Sequence, residues 1–312
     1  LPELSIEDMR AALRTFPWAT AVGQSGIHPR SIATISDAGI ETMTALLTKC
    51  EDLVEWPAER IVTTLARLPK PEGGARLIGL MHTLLRAWGR ARRPVSSRWE
   101  DANKAKEVWG VGKGRSSSNA AFSHNLMAEL AHWLGSGSAT VMLDLWKAFE
   151  TVAPMVLLRE AEVLGYPMRL MAMLLKAYRQ PRAIKAFGSF SKMVVAHQGN
   201  VAGCSRDTTA LVVLMTRAIK RAASISPEIE IRLVVGDNTL QATGKDQQTA
   251  KELYQATESY MSDLEELKMV VQPAKSGYVA TSAALVKLFE PYAQRLGITR
   301  RRALRNLGHE LH

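Results

Sequence analysis

Two short β-type runs, far apart in the chain, each deliver an aspartate, and together they constrain the fold more than any other feature. Ala139-Thr140-Val141-Met142-Leu143 is an apolar, partly β-branched run, preceded by Gly135, Gly137 and Ser138 and ended by Asp144. Ile231 to Val235 is a second such run, turned at Gly236-Asp237-Asn238 and returned through Thr239 to Ala242. Between the two, Pro154 suits the first turn of a helix that runs to Gly165, and Arg169 to Tyr178 reads as another. A loop from His197 to Ser205 holds Gly199 and Gly203, after which Asp207 can cap a long helix through Leu211, Leu214 and Ile219. An amphipathic helix starts at Asp246 and reaches about Leu267. This is a β-α-β-β-α order, and if the strands share a sheet, the acid-tipped ends lie side by side in a split βαβ arrangement. Carboxylates that face each other are costly unless a cation lies between them, and a pair of Mg²⁺ ions is the natural occupant.

The rest of the chain reads more simply. Ser5 to Trp18 is a capped helix with Met9, Leu13 and Phe16 on one face, and Gly23 to Pro29 is a loop. Asp37 to Cys50 has helical periodicity. Ile61 to Leu68 and Arg76 to Leu80 form a β-hairpin around Pro71-Glu72-Gly73-Gly74, with Lys70 and Arg76 on either side of its tip. A helix from Met81 to Arg93 ends at Pro94, a Gly/Ser-rich stretch covers Val108 to Ser118, and a helix runs from about Asn119 to Trp133.

With 312 residues the chain has room for two compact lobes or one large domain with insertions. It begins at Leu1, as a processed chain or a piece of a longer one does. Its apolar runs fall far short of the roughly 18 residues that span a bilayer, so no membrane partner is expected. Cys50 and Cys204 have no metal-ligand or disulfide spacing, and His28, His197 and His309 have none either. The net charge of +10 is concentrated. Between Arg60 and Arg115 thirteen Lys/Arg (Arg60, Arg67, Lys70, Arg76, Arg86, Arg90, Arg92, Arg93, Arg98, Lys104, Lys106, Lys113 and Arg115) face four acids, and Arg295, Arg300, Arg301, Arg302 and Arg305 form a second cluster. Such clusters attract polyphosphates through counterion release, which makes nucleic acid the first partner to consider, beside a merely solvated basic face.

These motifs, in this order, resemble the reverse transcriptase (RNA-directed DNA polymerase) domain of retrotransposons without long terminal repeats and of related group II intron elements. The resemblance covers nearly the whole chain. Leu68-Pro69-Lys70-Pro71 with Gly73, Gly74, Arg76 and Ile78-Gly79-Leu80 looks like the family's fingers hairpin. Val141 to Val152, with Asp144 and then Ala148-Phe149-Glu150, is similar to the first catalytic motif. Gln198-Gly199 with Ala202-Gly203-Cys204-Ser205 resembles the Gln-Gly motif, Lys275-Ser276 the Lys motif, and Leu307-Gly308 the turn that follows it.

The resemblance implies an α+β right-hand polymerase core. Residues 1–135 would form the fingers and N-terminal helices with the basic hairpin. Residues 136–312 would form the palm and the start of the thumb connection, the thumb itself being largely absent. It also implies roles. Asp144 and Asp237 would hold two Mg²⁺ ions, and Phe149 would exclude a ribose 2′-hydroxyl. Lys70 and Arg76 would bind the triphosphate of a dNTP, Gln198 and Gly199 would support the templating pair, and Lys275 would face the leaving pyrophosphate. An RNA template and a DNA primer would be the partners, and nucleus and cytoplasm both suit such a product.

The second catalytic motif departs from the family, which has two consecutive aspartates where this chain has Val234-Val235-Gly236-Asp237-Asn238. In one register Asp237 is the first of the pair and Asn238 replaces the second. In the other, which keeps the hairpin length, Gly236 replaces the first and Asp237 is the second. A catalytically impaired relic that only binds nucleic acid is therefore an alternative, while an RNA-dependent RNA polymerase is disfavoured by Phe149.

Overall fold

The computed structural model describes the chain except residues 58–60, 71–72, 104, 110–114, 187, 302–303, 307–308 and 312, and beyond Arg301 it describes backbone alone. The expected turn residues Pro71 and Glu72, the bases Arg60, Lys104, Lys113 and Arg302, and the Leu307-Gly308 turn lie outside the described residues.

The chain forms α1 (Ile6–Arg14), α2 (Pro29–Ile32), α3 (Asp37–Leu53), β1 (Thr63–Pro69), β2 (Ala75–Leu80), α4 (Thr83–Ala91), α5 (Arg93–Asn103) and β3 (Val108–Trp109). There follow α6 (Ser117–Trp133), β4 (Gly137–Asp144), α7 (Pro154–Val163), α8 (Met168–Tyr178), β5 (Arg182–Ala186), β6 (Ser189–Phe190) and α9 (Asp207–Ala223). Next come β7 (Ile229–Val234), β8 (Asp237–Gly244), α10 (Asp246–Glu266), β9 (Gly277–Ala280), α11 (Ala283–Leu296), β10 (Thr299–Arg300), β11 (Leu304–Asn306) and β12 (His309–Leu311). Helices and mixed sheets make this an α+β protein. Among the described residues no helix is long and apolar enough to cross a membrane.

The chain divides into two compact units, each made of two stretches: Leu1–Ala102 with Val152–Ala210, and Asn103–Thr151 with Leu211–His312. The first unit holds a sheet of order β2-β1-β5-β6, in which β1 and β2 form the expected antiparallel hairpin and β5 joins β1 in parallel. Ser5 caps α1 by accepting from the Asp8 N–H at 3.0 Å, and Met9, Leu13 and Phe16 are buried, as their spacing predicts. The glycine loop after residue 198 lies on β2, with the Gly79 N–H donating to the Ala202 carbonyl at 2.7 Å. Glycine is required at both contacts. A Cβ on Gly79 would meet Val201 Cγ1 at 2.1 Å, and one on Gly203 (φ +100°) would meet Ile78 Cγ2 at 2.8 Å.

Two expectations for this unit need correction. Pro94 does not end the helix before it. The α4 helix stops at Ala91 and Pro94 sits in the first turn of α5, where its missing N–H would have no intrahelical partner anyway. Arg92, counted in the basic stretch, is buried at the α4–α5 junction and ion-paired with Glu51 on α3, so its charge is spent inside the fold.

The second unit is built on a six-stranded sheet of order β10-β9-β4-β8-β7-β3. The central β4 pairs antiparallel with β8 on one side and with β9 on the other. Because side chains alternate along a strand, Ala139, Val141 and Leu143 share one face with Leu240 and Ala242, and this apolar face receives α10. Tyr278 and Phe289, ring centroids 4.9 Å apart, extend the core towards α11. The opposite face carries Thr140 and Gln241 directly across from each other, covered by α6 through His124, which accepts from the Gln241 amide at its carbonyl (3.2 Å) and meets Thr140 Oγ1 with its ring (3.3 Å). Burial, and then the nearby Arg232, hold the His124 pKa down to about 3, so this ring is neutral core. Asp144 and Asp237 lie on that same face, at the far end of the strands.

Candidate active site

Asp144 ends β4, Asp237 begins β8, and the two are direct cross-strand partners. Direct partners on one face of an antiparallel pair hold their Cβ atoms about 5 Å apart, close enough for the carboxylates to interact strongly. The backbone at Asp144 is fixed by the segment that leads into β9. Its N–H donates to Ser276 Oγ (3.1 Å), and its carbonyl accepts from the Gln272 N–H (2.8 Å). Ser276 Oγ in turn donates to the Gln272 carbonyl at 2.9 Å. The same segment carries Lys275, whose Nζ lies 3.7 Å from Asp144 Oδ2.

The electrostatics of the pair are unbalanced. Burial pushes the Asp237 pKa up, the Asp144 charge pushes it further, and Lys275 only partly offsets both. Lys275 is 63% exposed and Asp144 21%, so water screens their attraction. Two hard oxygen donors whose repulsion is only partly offset are a donor set that suits Mg²⁺, which binds through one or two carboxylates and completes its shell with water and phosphate oxygens. Among the described residues no three His, Cys, Asp or Glu side chains gather as a metal cluster.

The hairpin between β7 and β8 corrects the expected turn. Val234 pairs with Asp237, so the turn residues are Val235 and Gly236, and Asp237 and Asn238 already belong to β8. Val235 takes a left-handed φ of 58°, an uncommon conformation for a β-branched residue and one associated with strain at functional sites. Gly236 has room for little more: a Cβ there would stand 3.3 Å from the Ala148 Cβ. Asn238 is fully buried on the apolar face, away from Asp144. Its Oδ1 accepts from the Tyr260 hydroxyl at 2.6 Å, and its Nδ2 donates to the carbonyls of Gly236 (3.0 Å) and Leu143 (3.4 Å). Asp237 is thus the carboxylate of this hairpin that stands opposite Asp144.

The other expected site residues divide between the units. Phe149 shares the second unit with Asp144, Asp237 and Lys275, half-buried in the turns that follow β4. Lys70, Arg76, Gln198 and Gly199 share the first. Lys70 and Arg76 are exposed at the tip of the β1–β2 hairpin, where the Lys70 N–H donates to the Gly74 carbonyl at 3.3 Å. Gln198 is exposed. Gly199 is buried with φ +82°, its N–H donating to the Val152 carbonyl (2.8 Å) and its own carbonyl accepting from Arg182 (3.4 Å). Sequence reasoning did not single out Ser276 or Gln272 as anchors of Asp144, nor Tyr260 as the lock on Asn238; only Ser276, beside Lys275, fell within a motif. The chain matches no model of a known protein family, and no curated protein matches it significantly.

Proposed function

We propose that the chain is the fingers-and-palm core of an RNA-directed DNA polymerase of the retroelement type. The observation that carries this reading is the direct opposition of Asp144 and Asp237, which arrive from strands about ninety residues apart in an order and motif context that resemble that family. Asp144 and Asp237 would hold the Mg²⁺ ions. When bound, such ions activate a primer 3′-hydroxyl and stabilise the leaving oxygen of the dNTP. Lys275, beside Asp144, offsets charge where pyrophosphate leaves and supplies a proton to it from Nζ. Lys70 and Arg76 hold the triphosphate, Arg76 by a two-point grip on phosphate oxygens. Phe149 rejects a 2′-hydroxyl, and Gln198 with Gly199 supports the template pair.

A second reading, a nucleic-acid-binding relic without activity, is favoured by one feature. With Gly236 in the turn and Asn238 in the core, the site offers two carboxylates where the family's motifs supply three. Primer extension separates the readings. On an RNA template with dNTPs and Mg²⁺, the purified chain extends a DNA primer and Asp144→Asn does not. A chain that binds the template without incorporation, and gains incorporation on Gly236→Asp, is the relic.

A further inference from the structure

The first unit holds a cleft of about 500 Å³ between α1 and the α4–α5 junction, lined by none of the site residues considered above. Its lining combines small apolar groups, Ala12 and Ala91 among them, with Arg90 from α4 and Arg93 from α5. Thr15 and Ser97 add hydroxyls, and Asp8 on α1 is the acid of the lining, one carboxylate against two guanidiniums.

The arginines here differ from the buried ones elsewhere in the unit. Arg92 is spent on Glu51, and Arg206 on the Gly89 carbonyl and Ser96. Among the described residues no carboxylate pairs with Arg86, Arg90 or Arg93. Arg86 and Arg90 instead stack over the Phe16 ring, with 5.4 and 4.6 Å from guanidinium carbon to ring centroid, and Arg86 also donates to the Ala21 carbonyl at 2.6 Å. The Arg90 Nε is buried with no hydrogen-bond partner. Burial lowers the Arg90 pKa, and the charge of the exposed Arg93 lowers it further. Two guanidiniums that line one cleft without a carboxylate partner attract a ligand with several acceptor oxygens and negative charge.

We infer that this cleft binds a phosphate group, and that the phosphate belongs to the backbone of a nucleic-acid strand. The phosphate chemistry stands on the cleft alone, whereas the choice of a strand as its source rests on the polymerase reading. The guanidiniums of Arg90 and Arg93 grip phosphate oxygens, the hydroxyl of Ser97 adds a donor, and the apolar lining accepts the sugar or base edge.

Anisotropy of a labelled oligouridine RNA, titrated with the full chain across a range of KCl concentrations, tests this. At about 0.1 M salt Arg90→Gln/Arg93→Gln binds at least about tenfold more weakly than the parent. Its slope of log affinity against log salt is shallower by about 0.7 for each phosphate that is no longer neutralised. Lys245→Gln/Lys251→Gln, at the N-cap and in the first turns of α10, removes the same charge and keeps the parental slope. Arg90→Lys/Arg93→Lys, which keeps the charge but not the two-point grip, falls between, and thermal melts confirm that each variant is folded. The inference is overturned if both Gln pairs lose affinity equally, or if the parent binds no RNA. A parent protected in melts by millimolar inorganic phosphate, through Arg90 and Arg93 but with an unchanged RNA slope, overturns the strand as the source. A chain that binds RNA through these arginines yet extends no primer breaks the polymerase reading and leaves the cleft standing.

Discussion

Two groups of charged side chains in this molecule are treated in opposite ways. In the first unit Glu51 and Arg92 are each only 3% exposed, and their hydrogen bonding is closed: Glu51 accepts from Arg92 Nε (2.6 Å), from Arg92 Nη2 and from Trp88 Nε1 (2.7 Å). In the second unit Asp144 and Asp237 face each other as like charges, and the neighbouring cation, Lys275, is largely in water. A buried pair of opposite sign with every donor satisfied makes no demand on the surroundings. An opposed pair of like sign is relieved by a cation or by a proton retained on one member, and its strands must be held from elsewhere. Here that support comes from Ser276 and Gln272 on one strand end and from Asn238 and Tyr260 on the other.

Substitutions that break this contrast differ in size. The largest effect belongs to Glu51→Leu, which strands the Arg92 guanidinium in the core and lowers stability by about 3–5 kcal/mol in urea unfolding. A loss below about 1 kcal/mol would mean that water reaches Arg92. Tyr260→Phe removes the donor to Asn238 and costs about 1–3 kcal/mol, with loss of divalent-ion affinity if the lock positions Asp237. Asp237→Asn acts in the other direction. With chelator present it removes a like-charge contact and raises stability by up to about 1 kcal/mol.

That gain depends on pH. Asp237 keeps its proton to a higher pH in the folded chain than in the unfolded one. Its contribution is therefore fully present below the ordinary carboxylate pKa and is lost as pH rises through the raised native value. Measured from about pH 4 to pH 7, the stability of the parent relative to Asp237→Asn should fall, and a flat difference would contradict the repulsion. The smallest effect is that of Lys275→Gln, under about 1 kcal/mol, since the cation is mostly solvated.

How far the sequence anticipates this site depends on the range of the forces at each residue. The strand into Asp144 is legible because an apolar run bounded by glycine is a local signal, and so is the capped α1. The hairpin is legible as a hairpin, but its turn starts one residue and ends two residues earlier than expected. Gly, Asp and Asn favour turns locally, whereas Asn238 is drawn into β8 by a hydroxyl 22 residues away and Val235 is forced into the turn in its place. The β5 strand, Arg182–Ala186, gives no clear alternating signal and gains its state from parallel pairing with β1, more than a hundred residues earlier. Arg92 sits among other arginines, and nothing near it in the chain marks it as the partner of Glu51.

The opposed aspartates themselves can be probed by titrating the full chain with Mn²⁺ and following the free ion by electron paramagnetic resonance. The parent should take up Mn²⁺ in competition with Mg²⁺, and both Asp144→Asn and Asp237→Asn should lose at least about tenfold in affinity while remaining folded. Equal uptake by the parent and both variants would show that the ion binds elsewhere, and the opposed carboxylates would then have no part in metal-dependent chemistry.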